Sequence, residues 1–195
     1  TDDIPKITSF HETGATVTVD ETAGKQSDDT TSSSVVHQFD SVAQVGHDPD
    51  MGNAPQFAFN LAPIVVGSFV PGTDEPATYQ ITLQINGQPS ANGGVDSGLT
   101  TTDGHHIYLF SEGGIIVGRI DGNNDGHIDG NAADVAAFAV SINQFGQVSV
   151  AQYLSIHHND ATNPNDTMNL GATISAQLAV TDNDGDTVTQ SVTIR

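Results

Sequence analysis

The chain has 195 residues, with 24 acidic and 4 basic side chains, a formal charge of −20 and no cysteine. A surface this acidic repels nucleic acid and anionic membranes, so we expect neither as a partner, and no apolar run is long enough for membrane insertion. The absence of cysteine excludes thiolate catalysis and cysteine-bound zinc. Divalent cations are the simplest neutraliser of this charge, although a merely solvated acidic surface is an equally good interpretation.

Alternation of apolar and polar residues, the pattern of half-buried β-strands, recurs along the chain. The first such stretch is ATVTVD at 15–20, and residues 1–14 are interpreted as an inter-module linker with the start of this first strand. The polar segment 22–34 predicts a surface loop. Eight further alternating stretches follow, at 56–62, 78–86, 106–110, 115–120, 138–142, 147–153, 173–180 and 187–194.

Two segments also allow a helical interpretation: the alanine-rich residues 132–139, and residues 151–160, whose pattern is ambiguous. Turns rich in glycine, asparagine and aspartate separate the strands. This organisation predicts an all-β fold, an antiparallel β-sandwich of immunoglobulin- or cadherin-like style, with long acidic loops and at most one or two short helices. Because no linker divides the chain, residues 15–195 are expected to form a single β-sandwich module.

The stretch DGNNDGHID at 121–129 places acidic or amide side chains at alternate positions before a glycine, as in the first nine positions of a calcium loop. Calcium takes six to eight oxygen ligands in a flexible arrangement. The expected ligands are the side chains of Asp121, Asn123, Asp125, Asp129 and Asp134 and the backbone carbonyl of His127. Asp134 substitutes for a closing glutamate, because Ala132 occupies the twelfth position. The alternative is a solvated hairpin in which these residues only favour the turn.

A second acidic stretch, TDNDGDT at 181–187, lies between the last two predicted strands. Asp182, Asp184 and Asp186 point the same way if this segment stays extended, because side chains two apart share one face. Three carboxylates on one face can hold a cation. A plain acidic hairpin turn accounts for the same residues equally well.

Several segments in this order are distinctive when they are taken together. They are VDET (19–22), GLTTTDGHHIYLF (98–110), VGRIDG (117–122), AFAVSINQFGQVSVAQYLSIHH (137–158), NPND (163–166) and AVTDNDGDTVTQSVTI (179–194). Over about residues 15–195 the chain resembles a repeat module of giant bacterial RTX-type adhesins, which are exported by type I secretion. The stretch DGNNDGHIDGNAAD is longer and more acidic than the usual turn of that family at this place.

The resemblance implies a β-sandwich module in a string of modules that projects from the bacterial cell surface, with Ca²⁺ stiffening the joints. It implies Glu21, Asp182, Asp184 and Asp186 as joint ligands, and Asp3 as the residue that faces the preceding module. It places the terminal acidic hairpin beside the start of the following module. The expected partners are neighbouring modules of the same chain, and the expected function is secreted cell adhesion and biofilm formation. An isolated module is expected to be a monomer.

Other function classes have weaker support. An enzyme is not expected, because the chain has no G-x-S-x-G, P-loop or H-E-x-x-H motif. The main alternative is a calcium-dependent ligand-binding module for carbohydrate or peptide, with open calcium positions near an aromatic such as Tyr108 or Tyr153. A zinc site that combines one histidine from 105–106 with one from 157–158 is also conceivable, since each pair offers at most one ligand to each face of a strand.

Overall fold

A computed structural model of the protein describes residues 4–19, 29–73, 75–130, 134–158, 170 and 173–194. The strands in this part are β1 Lys6–Glu12, β2 Gln56–Phe59, β3 Val65–Val70, β4 Thr78–Ile85, β5 Val95–Thr100, β6 His106–Glu112, β7 Ile115–Ile120, β8 Val135–Ile142, β9 Val148–Gln152, β10 Ile174–Thr181 and β11 Thr187–Thr193. The helical structure there is α1, Ser33–Val36, followed by a 3₁₀ turn at His37–Phe39. No described helix is long and apolar enough to cross a membrane.

The strands form three antiparallel sheets. The largest has six strands in the order β2–β9–β8–β7–β6–β5, the second has the order β11–β10–β4, and β1 and β3 form a two-stranded ribbon. One hydrophobic core lies between the six-stranded sheet and the other two, and Phe10, Leu83, Ile107, Phe138 and Leu178 all contribute to it. This is the predicted all-β, antiparallel β-sandwich, and its prediction is confirmed.

The six-stranded sheet is buried on both faces. A second apolar cluster covers its other face, where Val35 and Phe39 from the short helical segment pack with Val117 and Ala139. All six residues of β7 are consequently buried, and so are most of β8. Burial on both faces removes the need for polar residues at alternate positions, which is why β7 and β8 consist of nearly continuous apolar runs.

Two helical interpretations are wrong, and one predicted loop ends earlier than expected. The helical interpretation of 132–139 fails, because residues from Val135 onward form β8, with alanines where the helical segment packs. The described part of 151–160 contains no helix either. Of the loop predicted at 22–34, residues 33 and 34 belong to α1.

The N-terminal strand lies earlier in the chain than predicted. β1, at Lys6–Glu12, falls within the segment 1–14 that was assigned to a linker, and it pairs with β3, which was not predicted. Residues 15–19 do alternate between half-buried and exposed, and Ala15 and Val17 pack against the core. However, residues 15–19 form no strand. The alternating pattern therefore predicted which of their side chains are buried, but it did not predict that their backbone lacks strand pairing.

The two acidic segments belong to different sheets: the loop 121–129 follows β7 of the six-stranded sheet, and Asp182 follows β10 of the three-stranded sheet. Because β7 and β8 are antiparallel, the loop 121–129 after β7 and the turn after β8 are at opposite ends of the six-stranded sheet. Phe145, in the turn after β8, lines one groove with Tyr79 of β4. Tyr79 pairs with Val180, close to the turn that contains Asp182. We call the end of the three-stranded sheet that carries this turn the Asp182 end.

The start of β1 and the finish of β11 lie at opposite ends of the three-stranded sheet. Lys6, the first residue of β1, pairs with Val70, and the neighbouring Phe69 packs on Tyr79 with ring centroids 5.4 Å apart. β1 therefore begins at the Asp182 end. β11 leads away from the Asp182 turn, and its last residue, Thr193, pairs near the start of β10.

Arg119 is a buried cation at the centre of the six-stranded sheet, with no exposed surface. Its guanidinium donates to both carboxylate oxygens of Glu112, at 2.7 and 2.8 Å. It also donates to the backbone carbonyls of Ala43, at 3.0 Å, and Asp134, at 2.5 Å. Arg119 thus joins β6 and β7 to the segment that covers the sheet and to the residue where the acidic loop returns to β8.

Candidate metal centre

The turn between β10 and β11 is closed by backbone and side-chain hydrogen bonds. The amide of Asp182 donates to the carbonyl of Asp186 at 3.0 Å. In return, Oδ1 of Asp182 accepts hydrogen bonds from the amides of Gly185, at 3.1 Å, and Asp186, at 2.8 Å. Gly185 has a φ of 105°, a conformation that side chains disfavour, which is why glycine stands at this point of the turn.

Three carboxylates converge in this turn. One oxygen from each of Asp182, Asp184 and Asp186 lies within 4.8 Å of the other two. Asp182 is buried with only 6% of its surface exposed, Asp186 is half-buried and Asp184 is exposed. The structure therefore brings these three predicted ligands together, with a buried side and an open side. We call them the Asp182 cluster.

The buried side of the Asp182 cluster contains an unsatisfied oxygen. When the carboxylates are ionised, Oδ2 of Asp182 is buried and accepts no hydrogen bond from the described residues. Leaving a buried acceptor without a partner is costly, since the group has given up its hydration. A cation between the carboxylates would replace that lost hydration.

The repulsion between the carboxylates of the cluster also favours a bound cation. A hydrogen bond shared between the carboxyl groups of Asp182 and Asp184 raises the pKa of Asp184 to about 6 and lowers the pKa of Asp182. The negative charges of Asp182 and Asp186 raise the pKa of Asp184 further. A proton is thus shared between the two acids at mildly acidic pH, and at neutral pH most clusters carry their full negative charge.

The acidic loop 121–129 has a different arrangement. Oδ1 and Oδ2 of Asp121 accept hydrogen bonds from the amides of Asp125 and Gly126 at 3.2 and 3.0 Å. Oδ1 of Asn123 accepts from Asp125 at 2.9 Å, and Oδ1 of Asp125 accepts from the amide of His127 at 2.8 Å. These side chains stabilise the turn of their own loop. Within the described residues, the Asp182 cluster is where three acidic or histidine ligand atoms converge, and this loop contributes none of them.

The side chain of Asp134 holds the same loop together from its buried side. It is fully buried, and its carboxylate accepts hydrogen bonds from the amides of Gly122, at 3.2 Å, and Asp129, at 2.7 Å. The side chain therefore connects the two sides of the loop through backbone amides. The calcium roles of Asp121, Asn123, Asp125, His127, Asp129 and Asp134 stay predictions.

The remaining predicted ligands concern the joints. Asp3 and Glu21 lie outside the described residues. The Asp182 cluster lies at the end where β1 begins, whereas the resemblance places this hairpin beside the following module. By its position in the fold, the cluster faces the side on which a preceding module would lie. The histidines of 105–106 and 157–158 belong to no converging ligand set in the described part of the chain.

A cleft of about 170 Å³ lies beside the acidic loop, and we call it the β6 cleft. Its lining includes Asn92, His105, His106, Tyr108, Asp121 and Ile128. Sequence patterns indicated Tyr108, Asp121 and one histidine of 105–106 as separate candidates and did not indicate Asn92. No local pattern can bring Asn92 here, because its position depends on a long-range backbone hydrogen bond from the amide of Ile128 to its carbonyl.

Comparison with protein families gives a match over most of the chain. A family model described as a domain of unknown function, DUF5801, matches residues 16–195. The matched region contains β2 to β11, the Asp182 cluster and the β6 cleft, while β1 lies before it. No curated protein and no solved structure matches the chain.

Proposed function

The chain belongs to the DUF5801 family, and we propose that it is a calcium-stabilised structural module of a secreted bacterial surface adhesin. The observation that carries the calcium part is the Asp182 cluster, with three converging carboxylates and a buried oxygen of Asp182 that lacks a partner. The adhesin part is supported by the resemblance of the strand and turn motifs to RTX-type repeat modules.

The ligand set favours calcium over other cations. All three side chains offer carboxylate oxygens, which suit hard cations, whereas zinc and copper sites usually include histidine or cysteine. Magnesium demands a tight octahedral site and retains several waters. The Asp182 cluster lies in a turn with an exposed side, so the larger and more adaptable coordination of calcium fits it better.

Exposed apolar residues support a contact with a neighbouring module at the same end. The large apolar side chains that are exposed in the described residues are Ile4, Leu61, Val70, Tyr79 and Phe145. Three of them lie at the Asp182 end, with Ile4 just before β1, Val70 at the end of β3 and Tyr79 at the start of β4. Leu61 and Phe145 lie at the other end of the β1–β3 ribbon, beside the turn after β8. The three apolar residues at the Asp182 end are gathered as is typical of an interaction surface. Calcium beside them would neutralise the carboxylates and allow two acidic modules to approach.

Calcium binding would couple the stability of the module to its location. A ligand that binds only the folded state stabilises it by about 2.7 kcal/mol at a hundred times its dissociation constant. Calcium is scarce inside a bacterium and abundant outside, so the module would be least stable before export and most stable at the cell surface. The test is a calorimetric calcium titration of chelator-treated protein in excess magnesium. Saturable binding is expected, and its absence at millimolar calcium rejects the proposal.

Calcium affinity should weaken at acid pH because a proton competes for the Asp182 cluster. With the pKa of Asp184 at about 6, most clusters hold a proton at pH 5, and binding must displace it. The dissociation constant should therefore be about tenfold higher at pH 5 than at pH 7. Calorimetry in two buffers of different ionisation enthalpy would also detect the released proton.

The metal-free protein provides the matching control for this pH effect. The raised pKa of Asp184 contributes stability that is fully present below its ordinary pKa and lost as pH rises through about 6. The lowered pKa of Asp182 acts oppositely and contributes above its ordinary value. In chelator, carboxyl NMR shifts should show Asp184 titrating near pH 6, and Asp182→Asn should move that titration lower. A titration of Asp184 near its ordinary pKa in both proteins contradicts the shared proton.

The loop 121–129 provides a separate test of calcium stoichiometry. Asp125→Ala removes a predicted ligand and the hydrogen bond to the amide of His127. If the loop binds an ion, the variant should bind one calcium fewer than the parent by calorimetry. Asp182→Asn should remove the other site, and the double variant should bind none. Unchanged stoichiometry in Asp125→Ala assigns the loop to the turn-forming role that its hydrogen bonds already show.

A further inference from the structure

The β6 cleft has rigid walls. The amide of Ile128 donates to the carbonyl of Asn92 at 2.5 Å and so joins the loop 121–129 to the loop 86–94. At Gly93, with a φ of 97°, a Cβ atom would lie 2.1 Å from the carbonyl oxygen of Ile128, so the two loops meet as closely as their backbones allow. Tyr108 stands on β6, which pairs with strands on both sides. The cleft is therefore formed before any ligand binds.

The acidic and histidine side chains of the cleft do not converge on one point. His105, His106 and Asp121 all line the cleft, yet their ligand atoms do not form a converging set like that of the Asp182 cluster. A ligand that reaches all of them must span the cleft. A volume of about 170 Å³ matches one sugar ring better than a metal ion or an extended peptide.

The chemistry of the lining indicates a neutral, hydroxyl-rich ligand. Asp121 accepts hydrogen bonds, while Asn92, the two histidines and Tyr108 can each donate and accept. Sugar hydroxyls also donate and accept, so they can satisfy every one of these groups. Tyr108 adds an apolar ring face next to Ile128, which suits the C–H side of a sugar. The formal charge of −20 disfavours an anionic ligand.

We propose that the β6 cleft binds a neutral monosaccharide unit of a glycan directly through these side chains. This site lies beside the loop 121–129, shares no residue with the Asp182 cluster and does not depend on calcium. It adds a recognition function to the structural role proposed above. A small ligand in an open cleft is expected to bind with a dissociation constant of about 1 mM.

The test is an NMR titration of the ¹⁵N-labelled protein with the methyl glycosides of glucose, galactose, mannose and N-acetylglucosamine. Each titration is performed in chelator, so that its outcome is independent of the calcium proposal. At least one glycoside should shift the amide signals around the β6 cleft in a saturable way. If none of the four does so up to about 50 mM, fifty times the expected dissociation constant, the proposal is overturned.

Variants locate the site. Asn92→Ala and His106→Ala remove exposed side chains and should weaken binding of the active glycoside at least tenfold, with the melting temperature unchanged. The matched control is His47→Ala, an exposed histidine outside the cleft, which should bind as the parent does. Equal affinity in all three variants places the sugar elsewhere and overturns the proposal. Micromolar binding of Zn²⁺ to the cleft, without binding of any glycoside, also contradicts it.

Discussion

Replacing Asp182 with asparagine is expected to abolish the calcium-dependent stability of the protein and to leave its fold intact. Asparagine retains the Oδ1 acceptor that binds the amides of Gly185 and Asp186, so the turn keeps its hydrogen bonds. It removes the charge and replaces the buried Oδ2 with an amide nitrogen, which cannot ligate calcium. The variant should therefore be less stable than the parent only when calcium is present.

The size of this effect follows from linkage. Calcium at a hundred times its dissociation constant stabilises one site by about 2.7 kcal/mol, which raises the melting temperature of a domain of this size by about 5–11 °C. The parent should lose that increment in chelator, whereas Asp182→Asn should melt at the same temperature with and without calcium if the cluster holds the dominant site. Asp50→Asn, an exposed acid away from the cluster, is the control. A full calcium response in Asp182→Asn contradicts a calcium site in this turn.

Replacing Arg119 with methionine should produce the largest loss of stability. The change removes the cation that faces Glu112 and leaves the carbonyls of Ala43 and Asp134 without its hydrogen bonds. Breaking a buried ion pair from one side typically costs about 3–5 kcal/mol. The free energy of unfolding from urea denaturation should fall by that amount in chelator and in calcium alike.

The control for this variant is Lys6→Met, which neutralises an exposed cation on β1 and should change the free energy of unfolding by less than about 0.5 kcal/mol. A loss below about 1 kcal/mol in Arg119→Met indicates that the guanidinium and its partners are solvated in solution. Because Asp134 follows the acidic loop, Arg119→Met should also lower the affinity of any calcium site in that loop.

The fold class could be predicted from the sequence, since period-two patterns and turn residues are local. The three-stranded sheet has one face in the core and one face that is at least partly exposed. Its strands β4, β10 and β11 therefore show the alternation plainly. β8 was ambiguous because burial on both faces erases that alternation, and its alanines are required by close packing of the helical segment. β1, β3 and β5 were missed. Irregular strand pairing interrupts the alternation in β1 and β5, and Gly67 and Ser68 interrupt it in β3.

The candidate site was predictable in part. Asp182, Asp184 and Asp186 belong to one tight hairpin, so their spacing alone brings them together. The loop 121–129 has a similar spacing, yet its side chains bond to their own backbone amides, and spacing does not distinguish these outcomes. The β6 cleft and the position of the Asp182 cluster relative to β1 depend on long-range packing, which no single segment encodes.

The direction of the chain through the sandwich has a mechanical consequence. β1 begins at the Asp182 end, and β11 finishes towards the other end. Tension between Lys6 and Thr193 would act along the strand axes. The hydrogen bonds between β10 and β11 would then share the force and break together, whereas a force across the strands would break them one at a time. Resistance to such loading is governed by the unfolding rate. A metal ion bound in the β10–β11 turn would then stabilise the two strands that carry the force.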